Sequence, residues 1–332
     1  MPKESEIISR IRARARAAER VRVGIGDDAA VIKSGEATDL IACSDLSVEG
    51  VHFRVEWSEA RLIGRKALAV TLSDVAAMGG EARYAMISVA LPASLSSEFI
   101  DDLFQGFFDI ADESNVSIVG GDTSSSVDSL FIDTAVIGEA RSGRAVTRAG
   151  ARAGDLIYVT GSLGASALGL TLLEQGHRPN SEEGDDPHER ARYEALIKHL
   201  RPEPRLVAGK AIGEAGLATA MIDISDGLST DLWHMLDESR CGAIIHAADI
   251  PVAVCVESLA PEDALRFALH GGEEYELLFT TPRESRAKVG ELSKALSLPI
   301  TLIGEITAGD GLRLERDGAY EHLPPAGYEH LG

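Results

Sequence analysis

Val21-Arg22-Val23-Gly24-Ile25-Gly26-Asp27-Asp28-Ala29-Ala30 is the stretch on which the fold turns. An apolar segment runs into G-x-G-x-x-A, the outline of a dinucleotide-binding turn. The chemistry is wrong for that turn. A pyrophosphate needs bare backbone N–H groups at a helix N-terminus, and here Asp27 and Asp28 occupy the approach. The same element, aspartate beside glycine, serine or threonine, recurs at Ser44-Asp45, Leu72-Ser73-Asp74, Gly120-Gly121-Asp122-Thr123 and Asp223-Ile224-Ser225-Asp226-Gly227. Several copies follow apolar stretches, so the spacing predicts short loops at strand ends that face a shared cleft. Taken singly, such an aspartate is most often a turn residue or an N-cap, and Asp226-Gly227 ahead of the helical run Leu228 to Leu236 is a cap candidate.

Between these motifs the pattern alternates strands and helices. Helices are expected at Ser5 to Glu19, Ser58 to Met78, Leu95 to Glu113 and Ala165 to Glu174. Strands are expected at Thr38 to Cys43, Tyr84 to Leu91, Val116 to Val119, Leu130 to Ile137 and Asp155 to Thr160. Further strands are expected at Met221-Ile222, Ala243 to His246, Glu276 to Thr280 and Ile300 to Ile303. Glu139 to Gly154, rich in Gly, Arg and Ala, reads as a linker. The chain therefore divides into residues 1–140 and 150–332, both α/β with mixed sheets. The polar stretch His177 to Arg190, with Glu182, Glu183, Asp185 and Asp186, is expected to be a mobile surface loop.

Composition narrows the function. The chain has 332 residues, and 32 Lys+Arg against 53 Asp+Glu give a net charge of −21. That balance argues against a nucleic-acid partner, which would meet a basic face. Three widely spaced cysteines (Cys43, Cys241, Cys255) form no CxxC pair and suit a reducing compartment. No apolar run approaches the ~20 residues of a membrane span, and a cytoplasmic location is expected. There is no G-x-x-x-x-G-K-[ST] loop, no G-x-S-x-G elbow and no H-E-x-x-H. If the aspartates converge, each like-charged pair ~4 Å apart costs about 4 kcal/mol at an effective dielectric near 20. Such a cluster persists only with cations, and oxygen ligands without His or Cys favour Mg²⁺. Several Mg²⁺ ions and a polyphosphate point to phosphoryl transfer.

The motifs Gly24–Ala30, Val48-Glu49-Gly50-Val51-His52-Phe53, Leu72–Gly79, Gly120–Thr123, Asp223–Leu228 and Gly271-Gly272-Glu273-Glu274-Tyr275-Glu276-Leu277 occur in order. Together they resemble the motif set of the bacterial thiamine-monophosphate kinase family, over about residues 5 to 330. That family lies in the aminoimidazole ribonucleotide synthetase superfamily. The resemblance implies a two-domain α/β (α+β) fold whose N-terminal domains pair into a barrel-like sheet in a homodimer. It implies an ATP-dependent kinase that makes thiamine diphosphate from thiamine monophosphate, the final step of its biosynthesis. Asp28, Ser44, Asp45, Asp74, Asp122, Asp223 and Asp226 then stand where the family binds Mg²⁺. Gly121, Asp122, Arg148 and Ser225 match its ATP contacts, and His52, Glu273 and Tyr328 its substrate contacts. No covalent nucleophile or general base is expected, because a phosphomonoester with a second pKa of about 6 is already dianionic at neutral pH. Glu274, Thr71, Leu46-Ser47 and Cys43 depart from the usual pattern and bear on metal geometry and substrate contact.

Rival readings remain at this point. Selenophosphate synthetase carries a reactive Cys or selenocysteine near its N-terminus, and the hydrogenase maturation factor a C-terminal Cys. Here the first cysteine is Cys43, and the chain ends Glu329-His330-Leu331-Gly332. Aminoimidazole ribonucleotide synthetase itself and a nucleotide sensor without turnover stay open.

Overall fold

A computed structural model describes residues 4–14, 18–179 and 186–328. Helix α1 is Glu4–Arg14. A six-stranded sheet follows, built of β1 (Val21–Val23), β2 (Ala30–Lys33), β3 (Thr38–Val48), β4 (Glu81–Pro92), β5 (Ser117–Ser126) and β6 (Phe131–Arg141). Its order is β1-β2-β3-β6-β4-β5, antiparallel throughout except where β4 and β5 run parallel. The sheet is open, with β1 and β5 at its edges. β6 alternates strictly, and its Ile132, Thr134 and Val136 are buried. The helices α2 (Ala60–Ala77) and α3 (Ser97–Glu113) complete this layer, their Ile63, Leu68, Leu72, Leu103 and Phe107 sharing one core with the sheet. The two helices touch backbone to backbone. A Cβ on Gly64 would stand 2.0 Å from the Leu103 carbonyl oxygen, and one on Gly106 1.9 Å from that of Arg61. Only glycine permits that approach.

The second sheet has seven strands: β7 (Leu156–Thr160), β8 (Ala220–Asp223), β9 (Gly242–His246), β10 (Leu277–Thr281), β11 (Ile300–Thr307), β12 (Gly311–Arg316) and β13 (Ala319–His322). Its order is β13-β12-β9-β11-β7-β10-β8, mixed because β12 runs parallel to β9. Seven helices accompany it: α4 (Ala165–Glu174), α5 (Pro187–Leu200), α6 (Leu206–Ala215), α7 (Leu228–Ser239), α8 (Val254–Leu259), α9 (Ala264–His270) and α10 (Arg286–Leu296). β7, β8 and β10 are buried at every residue, as strands covered on both faces must be. One of the flanking cores draws Ala76 and Ala77 of α2 together with Ala208 and Ile212 of α6, so helix α2 belongs to the packing of both sheets.

The α4 span is as expected, and several others differ instructively. β3 runs on to Val48, which places Ser44 and Asp45 inside a strand rather than in a loop after it. Asp74 lies in the last turns of α2, inside the helix expected over Ser58 to Met78, and Asp122 lies inside β5, so neither motif forms a loop of its own. In each case hydrogen-bonded pairing or helical packing extends through the small polar residues that read as breakers. The first helix ends at Arg14, and residues 15–17 lie outside the described ones. Glu139 to Arg141 still belong to β6, and irregular structure begins only after them. Of the stretch expected to be a surface loop, residues 180–185, with Glu182, Glu183 and Asp185, lie outside the described residues. Asp186 caps α5, its carboxylate accepting from His188 N at 2.9 Å.

Candidate functional site

Residues from both sheets line one cleft of 670 Å³, within the size range of small-molecule sites. Asp28 enters from the loop ahead of β2, Asp45 from β3, Asp74 from α2 and Asp223 from the end of β8. Carboxylate oxygens of Asp28, Asp74 and Asp223 all lie within 4.8 Å of one another. Each is held differently. Arg148 donates through Nε (3.1 Å) and Nη2 (2.5 Å) to the same Asp28 oxygen, Oδ1. Ser73, one residue before Asp74, donates its hydroxyl to Asp223 Oδ2 at 2.6 Å. The second oxygens of Asp28 and Asp45 are buried with no partner.

Electrostatics follow from this crowding. Burial, then the facing carboxylates Asp45, Asp223 and Asp28, push Asp74 well above the usual carboxylate range. Burial and Asp28 carry Asp223 to about 7, although the Ser73 hydroxyl pulls the other way. Burial also raises Asp45. Arg148 is the local counter-charge, and the Asp28 carboxylate raises its pKa although burial opposes its charge. Asp27 borders the same cleft but is tied to backbone. It accepts from the backbone N–H groups of Asp28 (3.0 Å) and Arg148 (3.2 Å) and organises the loop.

Across the cleft, Ser225, Asp226 and Gly227 form a turn whose three N–H groups all point at one carboxylate oxygen. Asp231 Oδ2 accepts from them at 3.1, 3.1 and 3.0 Å. Asp226 therefore does not cap α7 through its side chain; the cap position is Gly227, and Asp231 within the helix takes the N–H groups. The chain terminus folds back over this turn. Tyr328 N donates to the Asp226 carbonyl at 3.1 Å, and the half-exposed ring stands at the rim.

At the other end, His52 Nδ1 accepts from Val48 N at 3.0 Å. Glu273 pairs with Lys66 Nζ at 2.9 Å and with His199 Nδ1 at 3.2 Å. Burial works against its charge, yet Lys66 and His199 outweigh it and hold the carboxyl below its usual range. His199 is driven to about 4 by burial and by Lys66, so its imidazole is neutral at pH 7.

Of the sites named from sequence, Asp28, Ser44, Asp45, Asp74, Arg148, Asp223, Ser225, Asp226, His52, Glu273 and Tyr328 line this cleft. Gly121 and Asp122 do not. They sit exposed on the edge strand β5, and Asp122 lies three strand spacings, about 14 Å, from the β3 position beside Asp45. The Arg148 fork, expected on a phosphate, is turned onto Asp28. Glu274 points away from the cleft into the N-terminus of α4, accepting from Gly164 N (2.8 Å) and Ser166 N (3.0 Å). Thr71 pairs with Thr134 at 2.5 Å between α2 and β6, and Cys43 Sγ donates to the Thr71 carbonyl at 3.5 Å. Those departures from the family pattern are thus absorbed by packing.

Sequence reasoning missed Ser73, Asp231, Lys66 and His199. Ser73 and Asp231 lie in or near the quoted motifs and differ only in which way they face. Lys66 and His199 are 133 residues apart, and no local pattern joins them.

Family models for AIR synthase related proteins match this architecture, the N-terminal domain over residues 26–140 and the C-terminal domain over 152–317. Fold and cleft therefore define an enzyme of the AIR synthase-related class. Thiamine-monophosphate kinase of Escherichia coli (strain K12) is 40% identical over 314 residues, 94% of this chain and 92% of that protein. Among solved structures, AaThiL complexed with AMPPCP and TMP has 31% identity and a TM-score of 0.85, covering 99% of this chain and 97% of that one. Thiamine-monophosphate kinase from Stenotrophomonas maltophilia K279a has 35% identity and a TM-score of 0.78, covering 95% and 98%. The chain belongs to the thiamine-monophosphate kinase family.

Proposed function

We propose that this protein transfers the γ-phosphoryl group of ATP to thiamine monophosphate, giving thiamine diphosphate. The observation that carries the reading is the set of Asp28, Asp74 and Asp223 oxygens within 4.8 Å of one another at one end of the cleft. Family membership supports it, as does the relative complexed with AMPPCP, a methylene analogue of ATP, and TMP, which we take as thiamine monophosphate.

The donor set fits a hard divalent cation. It is made of oxygens, its like charges face each other, and buried oxygens of Asp28 and Asp45 lack any protein partner. In this reading Asp28, Asp45, Asp74, Asp223 and Asp226 hold several Mg²⁺ ions, with Ser44 beside them. Bound Mg²⁺ would neutralise the phosphate charge that otherwise keeps two polyanions apart.

The chain's own groups do the positioning. Arg148 fixes Asp28 through one oxygen and leaves the other free in the cleft. Ser73 orients Asp223, and Asp231 locks the turn that presents Ser225 and Asp226. Glu273 and His52 contact the acceptor at the inner end, and Tyr328 lies against its cationic thiazolium at the rim. The dianionic acceptor phosphate attacks in line without a general base and without a phosphorylated protein.

Gly121 and Asp122 enter this reading through a second copy of the chain. The first sheet exposes Leu46, Tyr84, Met86, Val119 and Phe131, an apolar face that suits a homodimer and would bring a partner's β5 edge toward the cleft. We assign residues 1–140 to nucleotide and metal binding and dimerisation, and 150–332 to completing the site. We place the protein in the cytoplasm, in line with three free cysteines and with no membrane-crossing helix among the described residues.

The test is to incubate the protein with γ-labelled ATP, Mg²⁺ and thiamine monophosphate. Label appearing in thiamine diphosphate, with none on the protein, is the expected result. Label retained on ATP would instead indicate a nucleotide sensor, and label on the protein would overturn direct transfer.

A further inference from the structure

At the inner end of the cleft Glu273 is joined by two side chains, Lys66 and His199, that neither the motifs nor the proposed reaction accounts for. Glu273 stands in the left-handed region (φ 59°), as does Tyr275 (φ 52°), conformations that non-glycine residues adopt only when their surroundings impose them. The backbone is pinned by Glu273 N donating to the Ser225 carbonyl (2.6 Å) and Tyr275 N to that of Ile224 (2.8 Å). The Glu273 side chain is thereby aimed across the cleft at two other elements. Lys66 of α2, 7% exposed, reaches Oε1 at 2.9 Å. His199 of α5, 2% exposed, reaches Oε2 at 3.2 Å.

The histidine tautomer follows from its neighbours. Lys66 Nζ lies 3.4 Å from His199 Nε2, and an ammonium can only donate, so Nε2 accepts and the ring proton sits on Nδ1. Nδ1–H then faces Glu273 Oε2 and, at 3.1 Å, the Ser166 hydroxyl. Trp57 holds the imidazole edge-on, with ring centroids 6.4 Å apart. Each Glu273 oxygen thus has one buried donor behind it and remaining lone pairs toward the cavity. The charged and titratable groups acting on Glu273 are Lys66 from α2, His199 from α5, His52 from the loop after β3 and, two residues along, Tyr275.

Resting on the functional reading above, we propose that Lys66 and His199 are positioning residues. They hold Glu273 as an ionised, oriented acceptor for the cationic organic part of the substrate, and so set affinity for that substrate and not for the nucleotide. A lysine on a helix is ordinarily a solvated residue. This one is buried against a carboxylate, a neutral imidazole and the cleft wall, and removing it strands a buried charge.

Two readouts test this. In Lys66→Met, KM for thiamine monophosphate should rise by at least about tenfold while KM for ATP stays within about twofold, because only the acceptor end loses its orienting cation. Lys66→Arg should recover part of the loss. Independently of catalysis, the ¹³C resonance of the Glu273 carboxyl, assigned through Glu273→Gln, should titrate at higher pH in Lys66→Met than in the parent. If Lys66→Met shows no cooperative unfolding transition, His199→Phe takes its place and should move both readouts the same way by less. An unchanged Glu273 titration, or equal rises in both KM values, overturns the proposal. Should the parent make no thiamine diphosphate, the functional reading fails, and the carboxyl titration still decides whether Lys66 orients Glu273.

Discussion

The two ends of the cleft solve the problem of a buried carboxylate in opposite ways. At the Asp28–Asp74–Asp223 end, acids face acids, Arg148 is the one cation among the described residues bonded to the set, and a buried Asp28 oxygen has no protein partner. Asp74 and Asp223 hold their protons tightly, Asp223 to about 7. At the Glu273 end, a buried lysine and a neutral histidine complete the carboxylate, whose proton is lost readily. The first end leaves carboxylate charge for the proposed cations to balance, and the second is balanced by the chain itself. Burial alone therefore does not mark a metal site. What sets the acidic end apart is burial of several carboxylates against a single cation, Arg148, bonded to one of them.

Neutralising one acid at the acidic end is the strongest test of this contrast. Asp74→Asn should lower kcat by at least about 10²-fold, the scale expected when transition-state charge stabilisation is lost. In EDTA the same variant should melt no lower than the parent, because one member of a repelling set has gone. A clear drop in Tm without metal would show that Asp74 is structural.

The next effect is a coupling between metal and pH. Folded Asp223 keeps its proton to about 7, whereas the unfolded chain releases it near the ordinary aspartate value of 3.8. The folded state thus binds more protons across that window, and stability from this group falls as pH rises through it. A cation binds the deprotonated form. The Tm gained on adding Mg²⁺ should accordingly be larger at about pH 8 than at about pH 5.5, read by scanning calorimetry. Glu273 has the opposite sign. Its lowered carboxyl contributes stability above its unfolded pKa, lost as pH falls through the folded one. A Mg²⁺ shift that ignores pH would erase the distinction between the ends.

The smallest effect concerns the rim. Tyr328 is half exposed, so Tyr328→Ala should raise KM for thiamine monophosphate by only about two- to fivefold, the scale of an exposed cation–π contact, with Tyr328→Phe near the parent. An unchanged KM would remove the ring from the site.

Much of this was legible in the chain because the aspartates recur in short, ordered motifs. The periodic helix Ala165–Glu174 could be bounded to the residue. Asp45 and Asp122 read as loop residues because small polar residues beside aspartate favour turns locally, and tertiary pairing overrides that preference, whereas Asp74 falls inside a helix that the spacing predicts. At the far end, His52 and Glu273 are legible through their motifs, whereas Lys66 and His199 are not. Lys66 looks like any solvated helix lysine, and its partners Glu273 and His199 come from distant segments that only the fold joins. Asp122 illustrates a third limit, since one chain places it far from the residues whose motif pattern it shares.

Helix α2 carries Lys66 at one end of the cleft and Ser73-Asp74 at the other, eight residues or about 12 Å of helical rise apart. The helix's own backbone hydrogen bonds fix that separation, and Gly64 and Gly106 seat α2 backbone to backbone against α3. In the proposed function the helix would act as a fixed gauge between phosphate chemistry and acceptor recognition. A molecule would then engage both ends only if its own length matched, and selection would be by span as much as by charge.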